Sequence, residues 1–466
     1  MSAPDLDPAA VAQALAYAED WLAFRQRYLR IPGVQAAAWY DGALALSTAH
    51  GHADVERGEA LTTQHLFRIA SHSKTFTATA ILQLVERGEL RLDDRCDALF
   101  GDVSDALAEV TVRELLQHTS GLVRDSFDGD FWQLGGPFPG PDGLAALVED
   151  AKALVLQRNE RFKYSNIGYG LLGLAIEGVT GRTYADVIRE SIVEPLGLTD
   201  TGAEYDPARA ADYATGYTAL AYAEHRVPIE HVDTGALAAA TGCYSTAADL
   251  VRYFAAHCRG DERLLDDASK RQMQHGGWPT DTPDKRYGLG LSVTEVGDRT
   301  LIGHGGGYPG HATASAFDPE AGLAVSVFTN AIDGPAESLL HGVVKLLDRA
   351  CDGALPTPAG SERFTGRFAS LWSVNDVALL GGRLFLMAPT VADPAEPMPE
   401  LEIVDDTTLR IAGGSGYGAP GELLRYTFDA DGSIQSLRGP SASTLLPLER
   451  FALPDRVTVG WLAPPS

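Results

Sequence analysis

The chain has 466 residues, enough for two to four domains at roughly 100–200 residues each. A hydrophobic fraction of 45% and a charged fraction of 21% exclude disorder as the main state. Sixty-three acidic residues against 37 basic ones leave a net charge of −26, a surface that repels nucleic-acid phosphates and an anionic membrane face.

The first residues carry neither the basic stretch nor the long apolar core of a secretory leader. No window reaches the roughly 18 apolar residues of a membrane span, so a cytoplasmic protein is expected. Val11, Leu15, Ala18 and Leu22 recur at helical spacing and predict one amphipathic helix over 8–30. VQAAAWY, Asp41-Gly42 and ALALSTAH predict two strands around a two-residue turn. From about 66 to 283 the pattern changes to helices and loops. TFTATAILQLVERG reads as a buried helix ended by Gly88, and VTVRELLQHTSGL as a short helix running into a turn at Ser120-Gly121. A loop rich in Gly, Pro and Asp covers roughly 125–143. IGYGLLGLAIEGVTG is apolar nearly all round and predicts an interior helix. STAADLVRYFAAHC predicts another, with Ser245 as its N-cap. Strand signals return from Tyr287. The runs about Gly297-Asp298 and about Pro319–Gly322 predict two hairpins, and a helix covers about 335–351.

Strands at both ends of a helical stretch predict an α+β fold: one antiparallel sheet made from both chain ends, with an inserted helical lobe over 66–283. A cleft between lobe and sheet is where a small-molecule site is expected. This gives a first domain over 1–355 and a linker, PTPAG, at 356–360. The alternating runs over 361–466 predict a small antiparallel β-barrel. Cys96, Cys243, Cys258 and Cys351 are scattered and form no C-x-x-C, so buried free thiols are expected.

Three short motifs carry chemistry. Ser71 and Lys74 stand three residues apart at the start of the predicted buried helix, so the amine reaches the hydroxyl. A serine nucleophile needs a nearby base, and a buried amine serves if burial lowers its pKa from about 10.4. Of the six lysines, only Lys74 has Ser three residues earlier. Tyr164-Ser165-Asn166 precedes the interior helix. There Tyr164 is a candidate proton carrier and Asn166 a candidate hydrogen-bonder to a substrate amide or carbonyl. His304-Gly305-Gly306-Gly307 follows an apolar strand, and its glycines allow a substrate to lie against the sheet edge. The other His-x-Gly, at His275-Gly276-Gly277, precedes Trp278-Pro279 in a predicted loop and reads as structural. Each motif alone is weak; their order and placement together are specific.

With these motifs the chain resembles the SxxK serine hydrolases, the family of class C β-lactamases, D-alanyl-D-alanine carboxypeptidases, D-aminopeptidases and related esterases. FRIASHSKTFTA, FKYSNIGYGLLG, VEPLGLTDT and GHGGGYPG carry the resemblance over about residues 25–350. The C-terminal region is similar to the lipocalin-like barrel of some members. The resemblance implies a β-lactamase/transpeptidase-like fold, with Ser71 as acylated nucleophile, Lys74 as its base partner and Tyr164 as second proton carrier. It also implies Asn166, His304, Gly306 and Gly307 as substrate-binding residues, with the N–H groups of Ser71 and Gly307 as the oxyanion hole. His304 departs from the Lys-Thr-Gly of class C β-lactamases. A neutral imidazole cannot replace a fixed cation, which lowers the expectation of carboxylate-recognising chemistry. His311 stands where the family often has an apolar residue, and reads as structural.

The substrate expected is a small molecule or peptide, turned over by a peptidase, amidase or esterase without metal or cofactor. A second reading is a penicillin-binding-protein-type thioesterase that offloads and cyclises nonribosomal peptides from a carrier protein, which such enzymes resemble in length and single C-terminal barrel. A third is a non-enzymatic β-lactam or peptide sensor. No Ser has Gly at both −2 and +2, so the nucleophile elbow of a Ser-His-Asp hydrolase is missing. His50-Gly51-His52 has no convincing partners as a zinc site. Oligomeric state stays open.

Overall fold

The computed structural model describes residues 3–101, 103–396, 398–413 and 418–462. The chain forms two compact units. One comprises 29–340, and the other joins 3–28 to 341–462. The last four residues of the predicted C-terminal domain lie outside the described residues.

In the first unit the strands are β1 (Gly33–Tyr40), β2 (Ala43–Asp54), β3 (Glu59–Ala60), β4 (Trp278–Pro279), β5 (Lys285–Tyr287), β6 (Ser292–Val296), β7 (Arg299–Tyr308), β8 (His311–Asp318) and β9 (Leu323–Thr329). They form one antiparallel sheet in the order β3-β2-β1-β9-β8-β7-β6-β5-β4. The two chain ends meet where β1 pairs with β9, Val34 opposite Thr329 and Trp39 opposite Ala324. The turn at Asp41-Gly42 has both residues at positive φ, 51° and 75°, as a tight hairpin whose twist matches its strands requires. All seven residues of β9 are buried, as a strand covered on both faces must be.

Between β3 and β4 lies the helical lobe. Its central helix, Ser73–Glu86, packs against a second at Asn166–Thr180, which in turn packs against a short one at Val112–Leu116. Ile81, Leu82, Leu84, Leu171, Leu172 and Ile176 share one core. The second helix buries residues on all sides, so it is interior, as its unbroken apolar run predicts. The helix at Ala247–Ala255 packs on β1, β8 and β9. Its N-cap is Thr246, whose Oγ1 accepts from Asp249 N–H at 3.2 Å, and not the expected Ser245. Ser245 is held in a two-residue strand pairing with Phe67, and its hydroxyl lies 2.8 Å from Thr201 Oγ1. Trp278-Pro279 is the edge strand β4 rather than loop.

In the second unit eight antiparallel strands, from Gly366–Ala369 to Thr444–Pro447, close into a barrel. Phe368, Val377, Leu384, Leu409, Leu424 and Leu437 alternate inward to fill it. Helix Pro8–Tyr28 belongs to this unit. Its Tyr17 hydroxyl donates to Asp376 Oδ2 at 2.8 Å, and Phe24 lies under Arg367. All four cysteines are buried. Among the described residues no helix is long and apolar enough to cross a membrane.

Candidate active site

Ser71 stands in a tight turn, Ala70–His72, that feeds directly into the helix Ser73–Glu86. Ala70 before it takes the left-handed conformation, φ 48°, a strain of order 1–3 kcal/mol for a residue with a Cβ. The hydroxyl it presents is half-buried, and the helix N-terminus points positive potential toward it.

Two side chains converge on Ser71 Oγ. Tyr164 donates its hydroxyl at 2.8 Å, and Lys74 Nζ lies at 3.3 Å. Lys74 is fully buried. Its amine also donates to Asn166 Oδ1 at 2.6 Å and to the Ala240 carbonyl at 2.7 Å. Ala240 lies in a wide π-helical turn, Ala238–Gly242. Burial pushes the Lys74 amine well below the ordinary lysine range. The Arg124 charge pushes it further, and Asp125 opposes both. Burial raises the Tyr164 phenol, so it is protonated at neutral pH, although its bond to Ser71 and the Arg124 charge pull the other way. Arg124 lies over the Tyr164 ring, 4.9 Å from its centroid.

Asn166 and Tyr164 are held from below. Asn166 Nδ2 donates to Asp125 Oδ1 at 2.5 Å. Ser165 caps the interior helix through its hydroxyl, which accepts from Gly168 N–H. Ser165 N–H donates to His118 Nδ1 at 3.1 Å, and the His118 ring lies tilted against the Tyr164 ring, 4.3 Å between centroids. Arg124, Asp125, His118 and Ala240 were not singled out from sequence. The first three carry only generic loop or helix-end signals, and a backbone carbonyl carries none.

The glycines of β7 bring the sheet to the nucleophile. β6 pairs with β7 only as far as Gly303, whereas β8 pairs with it through Tyr308. Among the described residues, 304–308 therefore have one edge without a strand partner. The triple Gly305-Gly306-Gly307 lies within the strand rather than after it. A Cβ at Gly306 would collide with the Ile69 carbonyl and stand 3.0 Å from His72 Nδ1, so only glycine allows β7 this close to the turn bearing Ser71. A Cβ at Gly307 would meet no protein atom within 4 Å. The same approach is bolted two residues away. Arg68 stacks 4.4 Å from the Tyr308 ring, and Arg68 N–H donates to His311 Nδ1 at 2.9 Å. His311 then carries its proton on Nε2, toward the Ala214 carbonyl, in a structural role.

His304 is buried and points away from a cationic role. Its Nδ1 lies 2.6 Å from the Gly305 carbonyl, so that nitrogen bears the proton. Its Nε2 lies 3.0 Å from the Tyr287 hydroxyl and accepts from it. Burial first, then Lys74 and His72, holds the imidazole well below 6.5, hence neutral. Among the described residues no cluster of His, Cys, Asp and Glu could hold a metal ion.

The beta-lactamase family model matches residues 21–346, and the chain belongs to that family. It is 31% identical over 277 residues to Penicillin-binding protein 4* of Bacillus subtilis (strain 168), a stretch covering 56% of this chain and 60% of that protein. The chain spans about half the length of the curated relatives it matches. Among solved structures it is similar to SurE, 26% identical with a TM-score of 0.61, covering 93% of this chain and 99% of that one. It is also similar to the D-amino acid amidase from Ochrobactrum anthropi SV3 complexed with L-phenylalanine amide. That chain is 29% identical with a TM-score of 0.60, covering 72% of this chain and 96% of its own.

Proposed function

We propose that this member of the beta-lactamase family is a serine hydrolase that works through an acyl-enzyme on Ser71, with D-amino-acid amides or peptides, or esters, as substrates. The observation that carries this is the convergence of Tyr164 Oη and Lys74 Nζ on one hydroxyl oxygen.

A neutral lysine has two N–H donors and one lone pair. The Asn166 and Ala240 carbonyl oxygens can only accept, so they take both donors. The lone pair is left for the Ser71 proton. As Oγ attacks the substrate carbonyl, that proton passes to Lys74. The N–H groups of Ser71 and Gly307 hold the developing oxyanion. Tyr164, a protonated phenol, gives its proton to the leaving group and regains one from Lys74. Water then attacks the acyl-enzyme with Lys74 again as base.

Substrate class follows from charge. At the sheet position where a class C β-lactamase has Lys, the neutral His304 offers no fixed cation. This favours amides and esters over carboxylate-anchored β-lactams. The similarity to a D-amino acid amidase supports the same class. A second reading is the offloading and cyclisation of nonribosomal peptides, in which an amine of the same substrate replaces water. It draws on the single C-terminal barrel, the feature shared with penicillin-binding-protein-type thioesterases. The test is a panel of D- and L-phenylalanine amide, a p-nitrophenyl ester, a penicillin and a peptidyl thioester with a free amine, followed by mass spectrometry of products. Turnover of the D-amide or ester is expected. A cyclic product from the thioester would favour the second reading. A lasting penicillin adduct with no turnover of anything would replace both with a sensor.

A further inference from the structure

Beside Tyr164 lies a cavity of about 330 Å³ whose charge runs against that of the chain. Arg124, Arg161 and Lys163 line one wall with Tyr164, and Asp281 and Thr282 face them from the connection between β4 and β5. In a protein of net charge −26, three cations share this one wall. Arg124 has Asp125 at 3.2 Å, but the other oxygen of that carboxylate is taken by Asn166. Among the described residues Arg161 and Lys163 make no ion pair. Lys163 is partly buried, and the charges of Arg124 and Arg161 weigh on it. Three like charges that share the single Asp125 carboxylate repel one another, and an anion seated among them removes that cost.

We propose that Arg124, Arg161 and Lys163 form an anion-binding subsite that takes a carboxylate or phosphate carried by the leaving portion of the substrate. The position assigns it to the leaving portion, because the cavity opens off Tyr164, the proton donor to the leaving group. The proposal rests on that reading of Ser71 and Tyr164. Guanidinium and ammonium groups suit either anion, Arg by paired N–H donors and Lys as a point charge. Asp281 on the facing wall repels an anion and limits the charge the subsite accepts. The subsite is separate from His304, so the missing cation on β7 does not remove anion recognition from the protein.

The test uses matched substrates with one acyl group. D-phenylalanyl-D-alanine and its amide differ only in a leaving-group carboxylate. The D-phenylalanyl thioesters of phosphopantetheine and pantetheine differ only in a phosphate. The readout is the ratio of kcat/KM for charged over neutral partner. In the wild type that ratio exceeds one in at least one pair and falls as salt is raised. The pair in which it does so identifies the anion. Arg161→Gln with Lys163→Gln is expected to cut it about tenfold. Asp281→Asn is expected to raise it. Ratios that stay the same in wild type and both variants, with neutral partners still turned over, would overturn the subsite alone. Failure to turn over the neutral partners would overturn the reading of Ser71 beneath it.

Discussion

Lys74 Nζ and Asn166 Oδ1 lie 2.6 Å apart although 92 residues separate them in sequence. This bond, with that to Ala240, fixes where the lysine lone pair points once the amine is neutral. Its charge state is set by burial and by two neighbours of opposite sign, Arg124 and Asp125. Acylation needs neutral Lys74, so its rate rises with pH through the lysine pKa. Asp125→Asn removes the charge that favours the ammonium form, and should move that acidic limb to lower pH. Arg124→Gln should move it to higher pH. Rate profiles with a neutral ester check both. Shifts in the same direction, or none, would contradict the assignment of the limb to Lys74.

Lys74→Ala and Tyr164→Phe should each slow acylation by about 10²-fold or more, the scale of lost general acid–base help. Their stabilities should differ. Lys74→Ala strands two buried carbonyl acceptors, at about 1–3 kcal/mol, whereas Tyr164→Phe removes a donor from a half-buried hydroxyl that keeps Lys74 beside it. Rapid-mixing acylation kinetics alongside urea unfolding separate the two. Near-wild-type acylation in both variants would remove them from the mechanism.

Tyr287→Phe should cost about 1–3 kcal/mol, because it leaves the buried His304 Nε2 without a donor. Urea midpoints at constant m-value measure this. A change below about 0.5 kcal/mol, the ordinary size of a neutral surface change, would mean that the Tyr287–His304 bond does not hold the imidazole.

Two fully buried histidines, His72 and His257, and a third that is partly exposed, His231, tie stability to pH. Burial lowers His72 to about 4 and His257 to about 3, and desolvation with the Arg68 charge lowers His231 to about 4. The unfolded chain takes up these protons near pH 6.5, before the folded one does. Stability is therefore full above about pH 6.5 and falls as pH drops toward 4, by up to about 1.4 kcal/mol per pH unit for each group. The urea midpoint should decline between pH 7.5 and 5. A flat midpoint over that range would contradict the buried, neutral state of these rings.

Much of this architecture is legible because it follows from periodicity and local chemistry. Ser71 and Lys74 sit one helical turn apart, and Asp41-Gly42 can only be a tight turn between alternating runs. The unbroken apolar stretch after Asn166 has no surface to occupy. Other features are set by tertiary contact. Ser245 reads as the N-cap until its strand pairing with Phe67 is known, which leaves that place to Thr246. The glycine triple reads as a break until Ile69 is seen pressing on Gly306. The amphipathic face of Pro8–Tyr28 says that it needs a partner, and not that the partner lies at the other end of the chain. The Ala240 carbonyl and the Asp125 carboxylate position Lys74 and Asn166 with no local signal of that role, because what they do depends wholly on where the lobe brings them.

The central claim is that Ser71 is acylated with Lys74 as base. Its most direct test is intact-mass spectrometry of the whole chain after brief mixing with an activated ester, followed by peptide mapping of the adduct. The account predicts one acyl group, mapped to Ser71, absent in Ser71→Ala and greatly slowed in Lys74→Ala. An adduct on any other residue, or one that persists in Ser71→Ala at the wild-type rate, would contradict it.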